Sequence, residues 1–376
     1  MKTARCAVPL AALLAVAAEP AGAGSRQKGL RGIGVNYFDA FYRTLSDGND
    51  TSYDAGFRAL GRRGIPFARF MCGGFWPADN ALYLEDRKEH FRRLDGVVRS
   101  ARKHGVGLIP SLFWHASTVP DMVGEPRDQW GNPESRTHAF MRTYVREVVT
   151  RYGRSPAIVA WEFGNEYNLD ADLPNAAQHR PPVVERLGTP GKRSERDDLT
   201  HEMIRTAFAA FAREVRRHDP RRPIATGSSL PRPSAWHQWK EGSWKKDTPA
   251  QFAEMLLGDN PDPLDTITVH VYRDPARIAP SAAAARKAGK TLFVGEFGTA
   301  GETTEARRKQ FAELLRQIEA HRVEAAALWV YDYKRQTEWN VTAGNARAWQ
   351  LDAVAAANRR ILKRLGGDAR KAGDGR

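Results

Sequence analysis

Two glutamates close apolar runs: Glu166, at the end of Ala157-Ile158-Val159-Ala160-Trp161-Glu162-Phe163-Gly164-Asn165-Glu166, and Glu296, at the end of Thr291-Leu292-Phe293-Val294-Gly295-Glu296. A buried strand has no packing reason to finish on a carboxylate, whereas the mouth of a barrel collects reactive groups there. Other runs end in the same way, with Arg69 in Phe67-Ala68-Arg69-Phe70-Met71, His270-Val271-Tyr272, Trp329 and Trp114-His115. A pair of carboxyls facing one cavity is what cleavage of a glycosidic bond requires. One protonates the leaving oxygen, and the other acts from the opposite side of the sugar. A guanidinium such as Arg69 would hold one group ionised while burial and proximity raise its partner, so the two roles separate by pKa.

These groups need elements that aim them inward. Eight apolar runs alternate with helical patterns: Gly32 to Phe38, Pro66 to Met71, Gly107 to Trp114, Ala157 to Gly164, Pro223 to Ser229, Thr266 to Tyr272, Thr291 to Gly298 and Ala325 to Tyr331. That alternation predicts an α/β fold, a single (β/α)8 TIM barrel. The intervening segments carry apolar residues at three- and four-residue spacing, as in Leu199, Met203, Ala207, Phe211 and Val215, which lays one stripe against the barrel. The first and last helices are expected over Asp54 to Gly64 and Ala346 to Leu365. Side chains alternate along a strand, which places Leu292, Val294 and Glu296 on one face, His270 and Tyr272 on another, and Ala327, Trp329 and Tyr331 on a third. Asn165 and Glu166 are neighbours and cannot both point inward from a regular strand, so the chain must leave β geometry near Gly164.

In type and order these residues resemble glycoside hydrolase family 5, the cellulase and mannanase family whose catalytic glutamates follow strands four and seven. The resemblance spans Gly32 to Leu365 and rests on Arg69, His115, Asn165-Glu166, His270-Val271-Tyr272, Glu296 and Trp329. It implies that Glu166 is the acid/base and Glu296 the nucleophile of a retaining double displacement. It further implies that Asn165 binds the hydroxyl beside the anomeric carbon, that Arg69 and Tyr272 steady Glu296, that His270 orients the acid/base side and that Trp329 stacks under the sugar. Tyr167 departs from the family pattern, which most often has Pro after the acid/base. Either Trp114 or His115 is the inward residue after strand three. Tryptophan faces stack on sugar rings, and Trp76 and Trp236 are the expected subsite walls.

Composition suits a globular protein, and the N-terminus predicts export. The chain is 41% hydrophobic and 27% charged, which suits one large core. Residues 1–23 have the layout of a secretory signal peptide: Lys2 and Arg5, an apolar stretch from Ala7 to Ala18, then Ala21-Gly22-Ala23. The expected organisation is that signal, a catalytic domain over 24–365 and a disordered tail over 366–376. Of two cysteines, Cys6 would leave with the signal and Cys72 would remain as a buried filler, so stability must come from packing. The formal net charge is +14, but the basic doublets (Arg62-Arg63, Arg92-Arg93, Arg216-Arg217, Arg359-Arg360) are scattered over predicted helices, which reads as a solvated surface and not as a nucleic-acid site. No metal or cofactor is expected, since His201-Glu202 lacks the second histidine of a zinc helix. A monomer acting on a β-linked oligo- or polysaccharide, a β-glucan or β-mannan, without a membrane partner after export, is the leading expectation. An exo-acting β-glycosidase or transglycosylase on the same barrel is the first alternative, and a non-catalytic binder of glycans or anionic polymers the second. An open groove would mean endo action and a blind pocket exo action, decided by the connections Asn168 to Asp198 and Leu230 to Thr248.

Overall fold

The computed structural model describes residues 30–373, so the expected signal peptide lies outside the described residues. Eight strands form one parallel sheet: β1 (Gly32–Asn36), β2 (Phe67–Met71), β3 (Gly107–Phe113), β4 (Trp161–Gly164), β5 (Ile224–Ala225), β6 (Thr266–Val271), β7 (Thr291–Phe297) and β8 (Ala325–Leu328). Their order, β5-β4-β3-β2-β1-β8-β7-β6, curls the sheet into a nearly closed TIM barrel. The open seam falls between β5 and β6, because β5 keeps only two residues. Side chains close it instead. Asn260 Oδ1 accepts from the Thr226 hydroxyl at 2.9 Å and the Thr268 N–H at 3.2 Å, and Asp265 Oδ1 accepts the Ile224 N–H at 2.8 Å.

Alternation divides the apolar residues between two cores. Phe67, Ile109, Val159, Phe293, Ala325 and Ala327 fill the barrel floor. Ile33, Val35, Leu108, Ile267, Val269, Leu292, Val294 and Leu328 point outward into the larger cluster shared with the helices, including Leu94 and Val98, Val145 and Val148, Phe208 and Phe211, and Leu314 and Ile318. Full burial of each such side chain is worth about 1.5–3 kcal/mol relative to exposure. Cys72 is a buried free thiol inside this core, and burial pushes its pKa up to about 12. Among the described residues, no helix is long and apolar enough to cross a membrane.

Three expectations need correction. Leu292 and Val294 do not share a face with Glu296: the inward residue of that stretch is Phe293. The register between β6 and β7 shifts so that Val269 pairs with Val294 but His270 with Glu296, which makes Gly295 the extra residue of a bulge. A bulge inserts one residue and turns the next side chain to the other face, and here it brings Glu296 into the barrel. Tyr331 also leaves the face of Ala327 and Trp329, because β8 ends at Leu328, and it packs edge-on against Tyr37 at 5.0 Å. The last helix runs Trp349–Gly373, through the Gly366-Gly367 pair expected to end it. Once nucleated, each further residue gains one backbone hydrogen bond, which carries a long helix across poor formers.

Candidate active site

Above the apolar floor the barrel carries a polar layer. Arg69, fully buried on β2, is its hub. Its Nε donates to Glu162 Oε1 at 2.7 Å, its Nη1 to Asn36 Oδ1 at 3.0 Å and Glu296 Oε1 at 2.8 Å, and its Nη2 to Asn165 Oδ1 at 2.8 Å. The guanidinium also lies 4.4 Å from the Trp114 ring, within cation–π range. Glu162 thus pairs the arginine from below, while Glu296 and Asn165 take it from above. Asn36 donates to the Gly295 carbonyl at 2.9 Å and so ties β1 to the bulge that aims Glu296.

Glu166 reaches the same space by a different device. β4 ends at Gly164, and Glu166 takes the left-handed conformation, φ 55° and ψ 27°. Such a conformation is strained for a residue with a Cβ and is held by its surroundings. The Asn165 N–H donates to the Trp114 carbonyl at 3.1 Å and the Glu166 N–H to the Gly227 carbonyl at 2.8 Å, so both neighbouring connections hold the turn. The two adjacent side chains then serve one cavity.

The carboxyls meet around β6. His270 Nδ1 lies 2.8 Å from Glu166 Oε1 and 3.5 Å from Glu296 Oε2, and Tyr272 donates its hydroxyl to Glu296 Oε2 at 2.5 Å. Ligand-type atoms of Glu166, His270 and Glu296 all fall within 4.8 Å of one another. That set could in principle hold a metal ion, but the Arg69 guanidinium at 2.8 Å from Glu296 opposes a dication there. Both oxygens of Glu296 receive strong donors, and Glu166 keeps 31% of its side chain exposed.

Burial raises both carboxyls, yet the balance differs. At Glu166 the hydrogen bond and charge of His270, then Arg69 and a hydrogen bond from Ser229, outweigh burial and hold it below the ordinary carboxylate range. At Glu296 burial, with the Glu166 charge added, outweighs His270, Arg69 and Tyr272 and leaves it raised. In the open site this is the reverse of the split anticipated from the sequence. The cause is burial, deeper at Glu296, which His270 offsets more fully at Glu166 because it sits nearer to that carboxyl. The two groups share one field and titrate as a pair.

Aromatic rings surround this centre. Trp114 and Trp329 stack at 6.0 Å, Phe38 meets Trp114 at 4.8 Å, and Trp339 meets Tyr272 edge-on at 5.0 Å. The Trp329 indole N–H donates to Gln336 Oε1 at 2.8 Å. The choice after β3 falls to Trp114. His115 turns aside and stacks on Phe75 at 4.9 Å, with Trp76 at 6.0 Å, and burial lowers its pKa to about 4. Trp76 therefore stands beside His115 and Phe75. Trp236 is not brought to the centre: the helix Ala235–Glu241 turns it toward the helix Pro249–Gly258, where its indole N–H finds Glu254 Oε2 at 3.0 Å. Trp339, one of the tryptophans that the sequence places in the mouth loops, joins the site against Tyr272. Asn36 and Phe38 join it without having been singled out as its members: Asn36 gave a signal, as a polar residue ending an apolar run, and Phe38 gave none.

The geometry fits what comparison with known proteins finds. A stretch of 96 residues, 24% of this chain and 24% of its relative, is 35% identical to a probable mannan endo-1,4-β-mannosidase A of Aspergillus flavus. Matches to the curated relatives span 18% to 30% of their length. Among solved structures, the endo-1,4-β-mannanase of Rhizomucor miehei superposes with a TM-score of 0.62 at 16% identity, covering 89% of this chain and 95% of that one. The exo-β-1,4-mannosidase of Opitutaceae bacterium strain TAV5 superposes with a TM-score of 0.58 at 15% identity, over 89% of this chain and 60% of that one. At such identity these structures speak for the barrel alone. The family described as cellulase (glycosyl hydrolase family 5) matches residues 28–335, most of the chain, and the protein belongs to that family.

Proposed function

We propose that the protein is a retaining glycoside hydrolase that cleaves β-glycosidic bonds of a β-mannan or β-glucan by double displacement, without a cofactor. The carrying observation is the convergence of Glu166, His270 and Glu296 within 4.8 Å, with Arg69 and Tyr272 both on Glu296. Carboxyl groups this close suit a covalent intermediate, whereas an inverting pair stands farther apart to admit a water. Glu296 attacks the anomeric carbon while Glu166 protonates the leaving oxygen. Glu166 then takes a proton from water, which attacks the glycosyl-enzyme and releases the sugar with its original configuration and Glu296 as the free anion.

Substrate supplies the pKa split that the open site lacks. A sugar seated over Trp329 removes water from Glu166 and raises it. Once Glu166 is protonated, its charge no longer raises Glu296, and Arg69 and Tyr272 favour the anion there. Asn165, positioned by Arg69, faces the hydroxyl beside the anomeric carbon in this reading. Export through the N-terminal signal, action as a monomer and a subsite role for Trp76 belong to the same proposal.

The test is release of new reducing ends from a panel of β-mannans and β-glucans, with Glu296→Ala in parallel. Hydrolysis of one polymer class or its oligosaccharides, lost in the variant, supports the reading. Full activity in Glu296→Ala would overturn it.

A further inference from the structure

The connection after β4, from Asn165 to Thr200, does not hang beside the cleft. It crosses the end of β3 and seats on the connection after β2. Arg193 donates to both oxygens of Asp121, at 2.6 and 2.7 Å, with the two side chains only 6% and 1% exposed. Arg127 donates to Asp170 Oδ2 at 2.8 Å and to the Asp197 carbonyl at 2.6 Å. These pairs bolt the crossing segment to the helix Thr118–Val123 and the turn Arg127–Gly131 that follow β3. At its far end the segment meets the turn Pro77–Asn80. Gly188, at φ +84°, lies so close that a Cβ there would stand 2.9 Å from the Pro77 Cβ. The turn is itself tied to the connection after β1, since Tyr42 donates to Asp79 Oδ2 at 3.0 Å.

What lies beneath is partly covered. His115, at the end of β3, stacks on Phe75 and adjoins Trp76, and Arg127, Asp170 and Arg193 are its charged neighbours. A charge pair as well buried and doubly bonded as Arg193 with Asp121 is costly to open, because each half left alone would be a desolvated charge. The span is thus part of the resting fold.

Resting on the glycosidase reading above, we propose that this span closes the β2-to-β4 side of the cleft, so that the site receives the end of a β-linked chain and trims short oligosaccharides, in place of cutting a polymer at internal bonds. Glu166 follows β4 and Trp329 follows β8, on opposite sides of the barrel. A chain laid from Trp329 past Glu166 therefore runs into the segment that begins at Asn165. The span sets which glycans enter, and the chemistry beneath it is the hydrolysis already described.

The experiment uses the native protein and two opened variants. Arg193→Ala combined with Asp121→Ala and Asp197→Asn removes a bolt without stranding either carboxylate that Arg193 holds, and Gly188→Val pushes the span off Pro77. Each is assayed on an aryl β-mannoside and β-glucoside, on β-linked oligosaccharides of graded length, and on soluble polymer by viscometry. The expected native result is a single short product from every oligosaccharide and little loss of viscosity per bond cut. Either opened variant should gain about tenfold in polymer cleavage relative to the aryl glycoside, a change of about 1.4 kcal/mol. Products of mixed length with an early fall in viscosity from the native protein would overturn the closed end while leaving the glycosidase standing. So would opened variants, folded and active on the aryl glycoside, that keep the native product pattern. No hydrolysis of any substrate, aryl glycosides included, would sink the glycosidase reading and this inference together.

Discussion

Replacing Gly295 by alanine tests whether the bulge in β7 matters to the chemistry. A Cβ built there stands 2.8 Å from His270 Nε2, 3.1 Å from its Cδ2 and 2.9 Å from Thr268 Cγ2. Non-bonded heavy atoms settle at about 3.5–4.0 Å, so the imidazole must move by roughly 0.7 Å or the bulge must re-form. His270 Nδ1 holds Glu166 Oε1 at 2.8 Å, and hydrogen bonds of this kind weaken beyond about 3.2 Å. A hydrogen bond to a charged group contributes about 1.5–3 kcal/mol, and losing it should lower kcat by roughly 10- to 100-fold. The Arg69 and Tyr272 bonds to Glu296 come from other strands and should survive. The assay is kcat and KM for reducing-end release by Gly295→Ala, with circular dichroism and a denaturant midpoint as folding controls. A folded variant whose kcat stays within about twofold of the parent would refute the claim that this glycine positions His270.

Two further outcomes follow from the same charges. Glu296 must be ionised to attack, so the acid limb of the kcat/KM profile, which reports the free enzyme, should lie above the ordinary carboxylate value of about 4.3. Removing a neighbouring anion lowers an acid's pKa, so Glu166→Gln, assayed on an aryl glycoside that leaves without protonation, should move that limb to lower pH. A limb that stays put or rises would contradict the coupling. Arg69→Met should cost about 3–5 kcal/mol of stability by stranding Glu162 and Glu296, measured by denaturant unfolding. Adding Glu162→Gln should recover part of that loss but none of the activity, since Glu296 still lacks its cation.

The barrel was legible because inward and outward residues alternate along short apolar runs, and Glu166 and Glu296 were legible because a buried run has no packing reason to end on a carboxylate. The face of Glu296 was read from alternation through Leu292 and Val294, and that route failed at Gly295. A glycine inside a strand is a signal for a bulge, and here it was passed over. Trp114 and His115 could not be separated, because one step along a strand exchanges cavity for rim. Trp236 was misplaced since the direction of a short helix depends on partners such as Glu254, distant in sequence. The crossing of the β4 connection to Pro77 is likewise a product of long-range pairs, Arg193 with Asp121 above all, that no local pattern announces.

In the proposed mechanism Glu296 attacks the sugar and Glu166 handles the proton. The most direct measurement is mass spectrometry of peptides from protein incubated with an activated 2-fluoro-β-glycoside of the cleaved sugar, whose glycosyl-enzyme hydrolyses slowly. A single covalent sugar on Glu296 is the expected result. A sugar on Glu166, or steady turnover with inverted configuration and no adduct, would contradict it.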